Sequence, residues 1–136
     1  LRVEPGVIRI VSGVDRREGK LLVVRKQGTG TFILPGGKPE EGETPEMTLS
    51  RGLSEELGCS CHILGWLGVF AERAANEPDC RVEAKIALIR LEGEAVPAAE
   101  IAEICRISVE SAEVELAPLL RTQIIPALKN IAGSAA

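Results

Sequence analysis

The chain has no tyrosine, and its aromatic residues are Phe32, Phe70 and Trp66 alone among 136 positions. A broad stacking platform for nucleic-acid bases is therefore excluded. There is one histidine, His62, so chemistry needing several imidazoles is also excluded, and this residue is assigned a structural or surface role. Positive charge is not in excess. The net charge of −4 argues against non-specific nucleic-acid binding, which needs a basic surface. No apolar run approaches the roughly 18 residues of a membrane-spanning helix, and no signal peptide is visible, so a cytoplasmic location is expected. The four cysteines, Cys59, Cys61, Cys80 and Cys105, match no standard zinc spacing. Cys59-x-Cys61 has the spacing to hold a soft metal, but small, partly buried thiols in a reducing compartment are the preferred reading.

What is present supports a packed interior. Apolar residues make up 45% of the chain, and the length suits one domain over residues 1–136. Residues 7–14 and 20–26 read as a hairpin around a turn containing Gly19. Residues 62–73 and 81–91 are β-rich. In the latter, Val82, Ala84, Ile86 and Leu88 alternate with Glu83 and Lys85. Residues 92–103 read as a loop with one helical turn, and 104–108 as a short strand. A helix over 116–133 carries Leu120, Ile124, Leu128 and Ile131 on one face, is interrupted at Pro126 and ends near Gly133. Strands surrounding one helix, with a second helix closing the chain, predict an α+β fold, an α/β/α sandwich with a mixed sheet between helices.

The informative stretch is "ILPGGKPEEGETPEMTLSRGLSEELGC", from Ile33 to Cys59. Thr44 is a good N-cap, Pro45 suits the first helical position, and Gly58 suits a left-handed end, so a helix is expected over 45–57. Leu49, Leu53 and Leu57 form its apolar stripe. Positions 52, 55 and 56 share another side. Glu55 and Glu56 stand where the helix dipole disfavours anions, which points to a compensating cation, and oxygen ligands suit magnesium or manganese. A solvated acidic face is the plain alternative for the pair alone. Pro35-Gly36-Gly37 allows backbone to approach a ligand, Gly42 gives a second turn, and Arg51 is a natural partner for Glu43.

These residues resemble the Nudix box, G-x5-E-x7-R-E-U-x-E-E-x-G-U, where U is bulky and apolar. Here it reads Gly37, Glu43, Arg51, Gly52, Leu53, Glu55, Glu56, Gly58 and Cys59. Two positions depart: Gly52 replaces the first glutamate, and Cys59 replaces an aliphatic residue. The text is similar to small MutT-like members. The resemblance implies metal-dependent hydrolysis of a pyrophosphate linkage in a nucleoside diphosphate derivative, foremost a nucleoside triphosphate, oxidised ones included. An ADP-ribose or sugar-nucleotide substrate is an alternative. It further implies Glu55, Glu56 and the Gly36 carbonyl as ligands of Mg2+ or Mn2+, Glu43, Gly37 and Gly58 as support, Arg51 as part of the catalytic set, and Lys38 facing a phosphate. Phe32 is a candidate for the substrate pocket, while Trp66 and Phe70 are assigned to the core. Many relatives are dimers, so a homodimer is an open expectation.

Glycine at 52 can neither ligate a metal nor act as a base, and it costs about 1 kcal/mol relative to alanine within a helix. Either the base comes from a later loop, with Glu100 and Glu103 the best candidates and Glu77 a weaker one, or hydrolysis is slow, or the chain is a binding module. A change acquired at residue 52 is the remaining reading. Arg106 is assigned to a solvated strand edge, with a phosphate contact as the alternative.

Overall fold

The computed structural model describes residues 6–75, 77, 79–110 and 113–135, with side chains described through residue 131. The strands are β1 (Val7–Arg17), β2 (Lys20–Lys26), β3 (Gly36–Gly37), β4 (Ser60–Arg73), β5 (Arg81–Glu92) and β6 (Ile101–Ser108). Helix α1 spans Pro45–Leu57, and a π-helical turn, Leu120–Ile124, leads into α2, Ile125–Ala135. One sheet runs β4-β5-β1-β2-β6, with β3 paired to β1. All its pairings are antiparallel except β1 with β5.

The alternation within β2 shows why the sheet lies between two layers. Leu21 and Val23 enter one core with Ala84, Ile86, Leu120, Ile124 and Leu128. Leu22 and Val24 enter the other with Leu49, Leu53, Leu57, Ala87 and Ile89. All four β2 residues are buried, because helical segments cover both faces. This is the α/β/α sandwich that the apolar patterns predict. The hairpin between β1 and β2 turns on Glu18 and Gly19, both at positive φ (54° and 76°), which matches the twist of paired strands.

Helix α1 begins and ends where its capping residues indicate. The Thr44 hydroxyl accepts from the Met47 amide at 3.2 Å, and Gly58 closes the helix at φ 66°. The closing helical stretch departs from regular α geometry just before Pro126, where a local interruption is expected. Pro126 has no N–H to donate, and the preceding Ile125 amide reaches back to the Leu120 carbonyl in a wider turn. The helix runs past Gly133 to Ala135.

Several boundaries differ from the sequence reading: β1 runs on to Arg17 and β4 starts at Ser60, and the start of β6 matters most for the site. β6 starts at Ile101, inside the stretch expected to be loop, because Ile101 is buried opposite Lys26 across a bulge. The remaining loop also has a structural duty. The Val96 and Ala98 amides donate to the Leu57 and Glu56 carbonyls, satisfying acceptors that the end of α1 leaves open. That tie brings Glu100 beside α1. No described helix is long and apolar enough to cross a membrane.

Candidate active site

The loop before α1 is fastened to the helix by one guanidinium. Arg51 Nε donates to Glu43 Oε2 at 2.7 Å, Nη2 to Glu43 Oε1 at 3.0 Å and to the Lys38 carbonyl at 2.7 Å, and Nη1 to Glu55 Oε1 at 3.0 Å. Glu43 also accepts from the Glu40 amide and the Thr48 hydroxyl. Arg51, followed by those two donors, holds the Glu43 carboxyl down at about 2, and Glu43 in turn raises the Arg51 guanidinium. Lysine offers a single ammonium and cannot reproduce this planar fork. Arg51→Lys is therefore expected to lower kcat/KM about tenfold, as losses of supporting hydrogen bonds typically do, with an unchanged circular dichroism spectrum.

Glu56 is only 8% exposed, and its Oε1 accepts from the Gly36 amide at 3.1 Å. Burial pushes its carboxyl up to about 7; the Gly36 amide and Lys26 oppose the shift, while Glu100 and Glu55 add to it. Glu55 is on the exposed side of the same turn. A cleft of about 620 Å³ carries Glu40, Glu55, Glu56 and Glu100 together with Lys26, Lys38 and Arg51. Its walls continue into a cavity of about 320 Å³ that shares Ile10, Ser12, Ile33, Leu34, Lys26, Lys38 and Glu100. Beyond the shared part, that cavity is mainly aliphatic, with Ile8, Val82, Leu119 and Leu120.

Of the expected site residues, Gly36, Gly37, Lys38, Arg51, Glu55 and Glu56 come together around the cleft, and Glu43 lies behind it. Two do not join them. Phe32 is a core residue, 5% exposed, because its backbone is pinned to Glu115 and Ala117 and its ring joins the α2-side core. Glu103 faces Arg25 across the β2–β6 pair at 3.1 Å and lines neither cavity. Glu100 does reach the cleft, 3.3 Å from Lys26, on a turn whose neighbour Ala99 has φ 53°. Glu77 borders the aliphatic cavity. Lys26 carried no sequence signal; it lines the cleft from the last position of β2, at the β2–β6 bulge. Arg106 meets buried Asp15 at 3.0 Å rather than a solvated edge. His62 is exposed beside Glu92, and Trp66 and Phe70 pack against the two cores.

The NUDIX domain family profile matches residues 5–128. The chain belongs to the Nudix family. Its sequence is 36% identical over 63 residues to a "MutT-like protein" of Streptomyces ambofaciens, covering 46% of this chain and 41% of that one. It is 34% identical over 64 residues to an "ADP-ribose pyrophosphatase" of Methanocaldococcus jannaschii, covering 45% and 38%. It is 37% identical over 57 residues to an "8-oxo-dGTP diphosphatase" of Haemophilus influenzae, covering 38% and 42%. The matches thus span about two-fifths of these curated relatives. In fold it is similar to a UDP-X diphosphatase (TM-score 0.79, 20% identity, 99% of this chain and 67% of that one). It is similar also to a MutT NUDIX hydrolase from Burkholderia pseudomallei (TM-score 0.76, 21% identity, 92% and 98%).

Within this Nudix site, Gly52 has a structural use that the sequence does not reveal. A Cβ at 52 would lie 2.5 Å from the Gly36 oxygen and 2.8 Å from the Gly37 nitrogen. A Cβ at 36 would lie 2.1 Å from the Val11 oxygen. The Gly36–Gly37 peptide is therefore held between β1 and α1, with side-chain-free positions on both contact points. Overpacking costs about 1–3 kcal/mol, while helix propensity returns at most about 1 kcal/mol. Gly52→Ala and Gly52→Glu are both expected to lower the melting temperature, and Gly52→Glu to bring no gain in turnover. A faster Gly52→Glu enzyme with unchanged melting would show instead that the loop has room for the side chain.

Proposed function

We propose that this chain hydrolyses the pyrophosphate linkage of a nucleoside diphosphate derivative, foremost a nucleoside triphosphate, with magnesium or manganese. The observation that carries the reading is Glu56: a buried carboxylate against the glycine turn, in a cleft that also presents Lys26 and Lys38. The donors fit a hard cation. Among the described residues no three acidic, thiol or imidazole groups are placed to enclose a metal ion. Glu55, Glu56 and the Gly36 carbonyl would hold it, with water completing the shell, as magnesium favours. When bound, such a cation neutralises phosphate oxygens and makes water a better nucleophile.

The chain's own groups supply the rest. Lys26 and Lys38 face the phosphates. Arg51 and Glu43 hold the loop, with Gly37 and Gly58 allowing its turns. The aliphatic cavity takes the group beyond the pyrophosphate. Glu100, rather than Glu103, takes the proton from the attacking water. The relatives' names support both a triphosphate and an ADP-ribose substrate, so the deciding test is a panel containing 8-oxo-dGTP, the four ordinary dNTPs, ADP-ribose and UDP-glucose with each metal. Magnesium- or manganese-dependent product from at least one compound is expected. Gly52 favours a second reading, a nucleotide-binding module without turnover; saturable binding of panel members with no product would establish it.

A further inference from the structure

We propose that a second cleft, beyond Arg73, binds an anionic group carried on the far end of the substrate, a phosphate or carboxylate separate from the pyrophosphate. The assignment of that group to a substrate rests on the hydrolase reading above. The cleft, of about 730 Å³, lies between the end of β4, the stretch around Glu115 and the closing helix. Arg73, Arg121 and Lys129 line it. Arg121, Ile125 and Lys129 recur every four residues, so a single helix face presents both cations to this cleft.

The charge balance there opposes that of the whole molecule. Three cations face one lining carboxylate, Glu115, in a chain of net charge −4. Glu115 is engaged by the Thr31 hydroxyl at 3.0 Å. Arg121 makes no ion pair among the described residues. Lys129 reaches Glu110 only at 3.9 Å, with both side chains largely in solvent, so that pair does little to neutralise it. Glu72, next to Arg73 in the chain, accepts from the Arg73 amide at 2.9 Å and from Thr122 and Gln123, so it is a further acid whose charge acts on Arg73. Pro118, where the helical stretch begins, also lines the cleft and adds the positive end of the helix dipole.

Arg73 fixes how this cleft relates to the first. It lines both the cationic cleft and the aliphatic cavity, which in turn opens into the acidic cleft. The order along the molecule is acidic site, apolar space, Arg73, cationic site. A ligand that follows it has a pyrophosphate at one end, a group the size of a nucleoside in the middle and another anion beyond.

The test separates the two sites by removing metal. In EDTA the acidic cleft lacks the cation that would offset its four carboxylates, so pyrophosphate used as a simple probe should bind saturably in the cationic cleft. Arg121→Ala/Lys129→Ala, both surface positions, should keep the melting temperature and weaken this binding at least about tenfold, the usual weight of charge-assisted hydrogen bonds. Lys26→Ala/Lys38→Ala should leave it unchanged. Under the same conditions NADPH should bind about tenfold more tightly than NADH, and the Arg121/Lys129 variant should erase that difference. Absence of saturable pyrophosphate binding, its loss only in the Lys26/Lys38 variant, or equal binding of NADPH and NADH overturns the proposal. Metal-dependent turnover is read apart from this, so failure of the panel with these binding results intact would remove the hydrolase reading alone.

Discussion

Glu56→Gln is expected to reverse its stability ranking against the unaltered protein when metal is added. In EDTA, the folded-state carboxyl titrates near 7 against an ordinary value of 4.5. A carboxylate whose folded value is raised lends stability below the unfolded value, and that contribution is lost as pH rises through about 7. The unaltered protein should therefore weaken between pH 5 and pH 8 by an amount on the order of 3 kcal/mol. The variant's side-chain amide has no charge to bury and can still accept from the Gly36 N–H, so the variant should stay level and be the more stable of the two at pH 8. Under the proposed function, magnesium held by the ionised acid would displace its proton and stabilise the folded protein. The unaltered protein should then gain and the variant should not. Turnover should fall by more than about 10²-fold, since loss of a supporting residue alone typically costs 10–100-fold. Melting curves with EDTA or magnesium at pH 5 and pH 8 check the first part. A variant that gains as much from magnesium as the unaltered protein would remove Glu56 from the cation site.

The second large effect concerns the base. Glu100→Gln should lower kcat by about 10²–10⁴-fold, the usual contribution of a positioned general base. Glu103→Gln should stay close to the unaltered rate, because that carboxylate faces Arg25 outside the cleft. Glu100 is three residues earlier in the chain, but the reason for the contrast is local geometry. Residues 96 and 98 are bonded to the end of α1, which holds Glu100 at the cleft rim before β6 diverges along β2. Equal losses in both variants would point to sheet damage rather than to a base.

The parts of this molecule legible in the sequence are those set by near neighbours. Thr44, Pro45, the leucine stripe and Gly58 define α1, and the glycine-acid spacing identifies the box, because each signal lies within a few turns of its partner. The alternation in β5 also reads correctly, with Val82, Ala84, Ile86 and Leu88 all on the α2-side core. The misplaced residues depend on distant ones. Phe32 resembles a pocket residue until Leu116 and Ala117 fold against its backbone. Ile101 resembles loop until β2 pairs with it. Lys26 has no local mark of function, and the use of Gly52 depends on a peptide sixteen positions earlier. Asp15 and Arg106 illustrate the same limit: an ion pair spanning most of the chain leaves no spacing to read.

The parallel pairing of β1 with β5 carries a consequence for how the chain acquires its shape. Val7 pairs with Arg81 and Asp15 with Ile89, so β1 has no neighbour on that side until the segment from Arg81 onward has been synthesised. Its early partners are β2 and the glycine turn of β3, both nearby in sequence. Non-local pairing is slow to form because the intervening loop must close first. The loop and helix that carry the acids can thus assemble against β1 at an early stage, while the opposite edge of the same strand stays open. During that interval the exposed edge, rather than the acidic site, is the part of the chain most prone to pairing with another molecule.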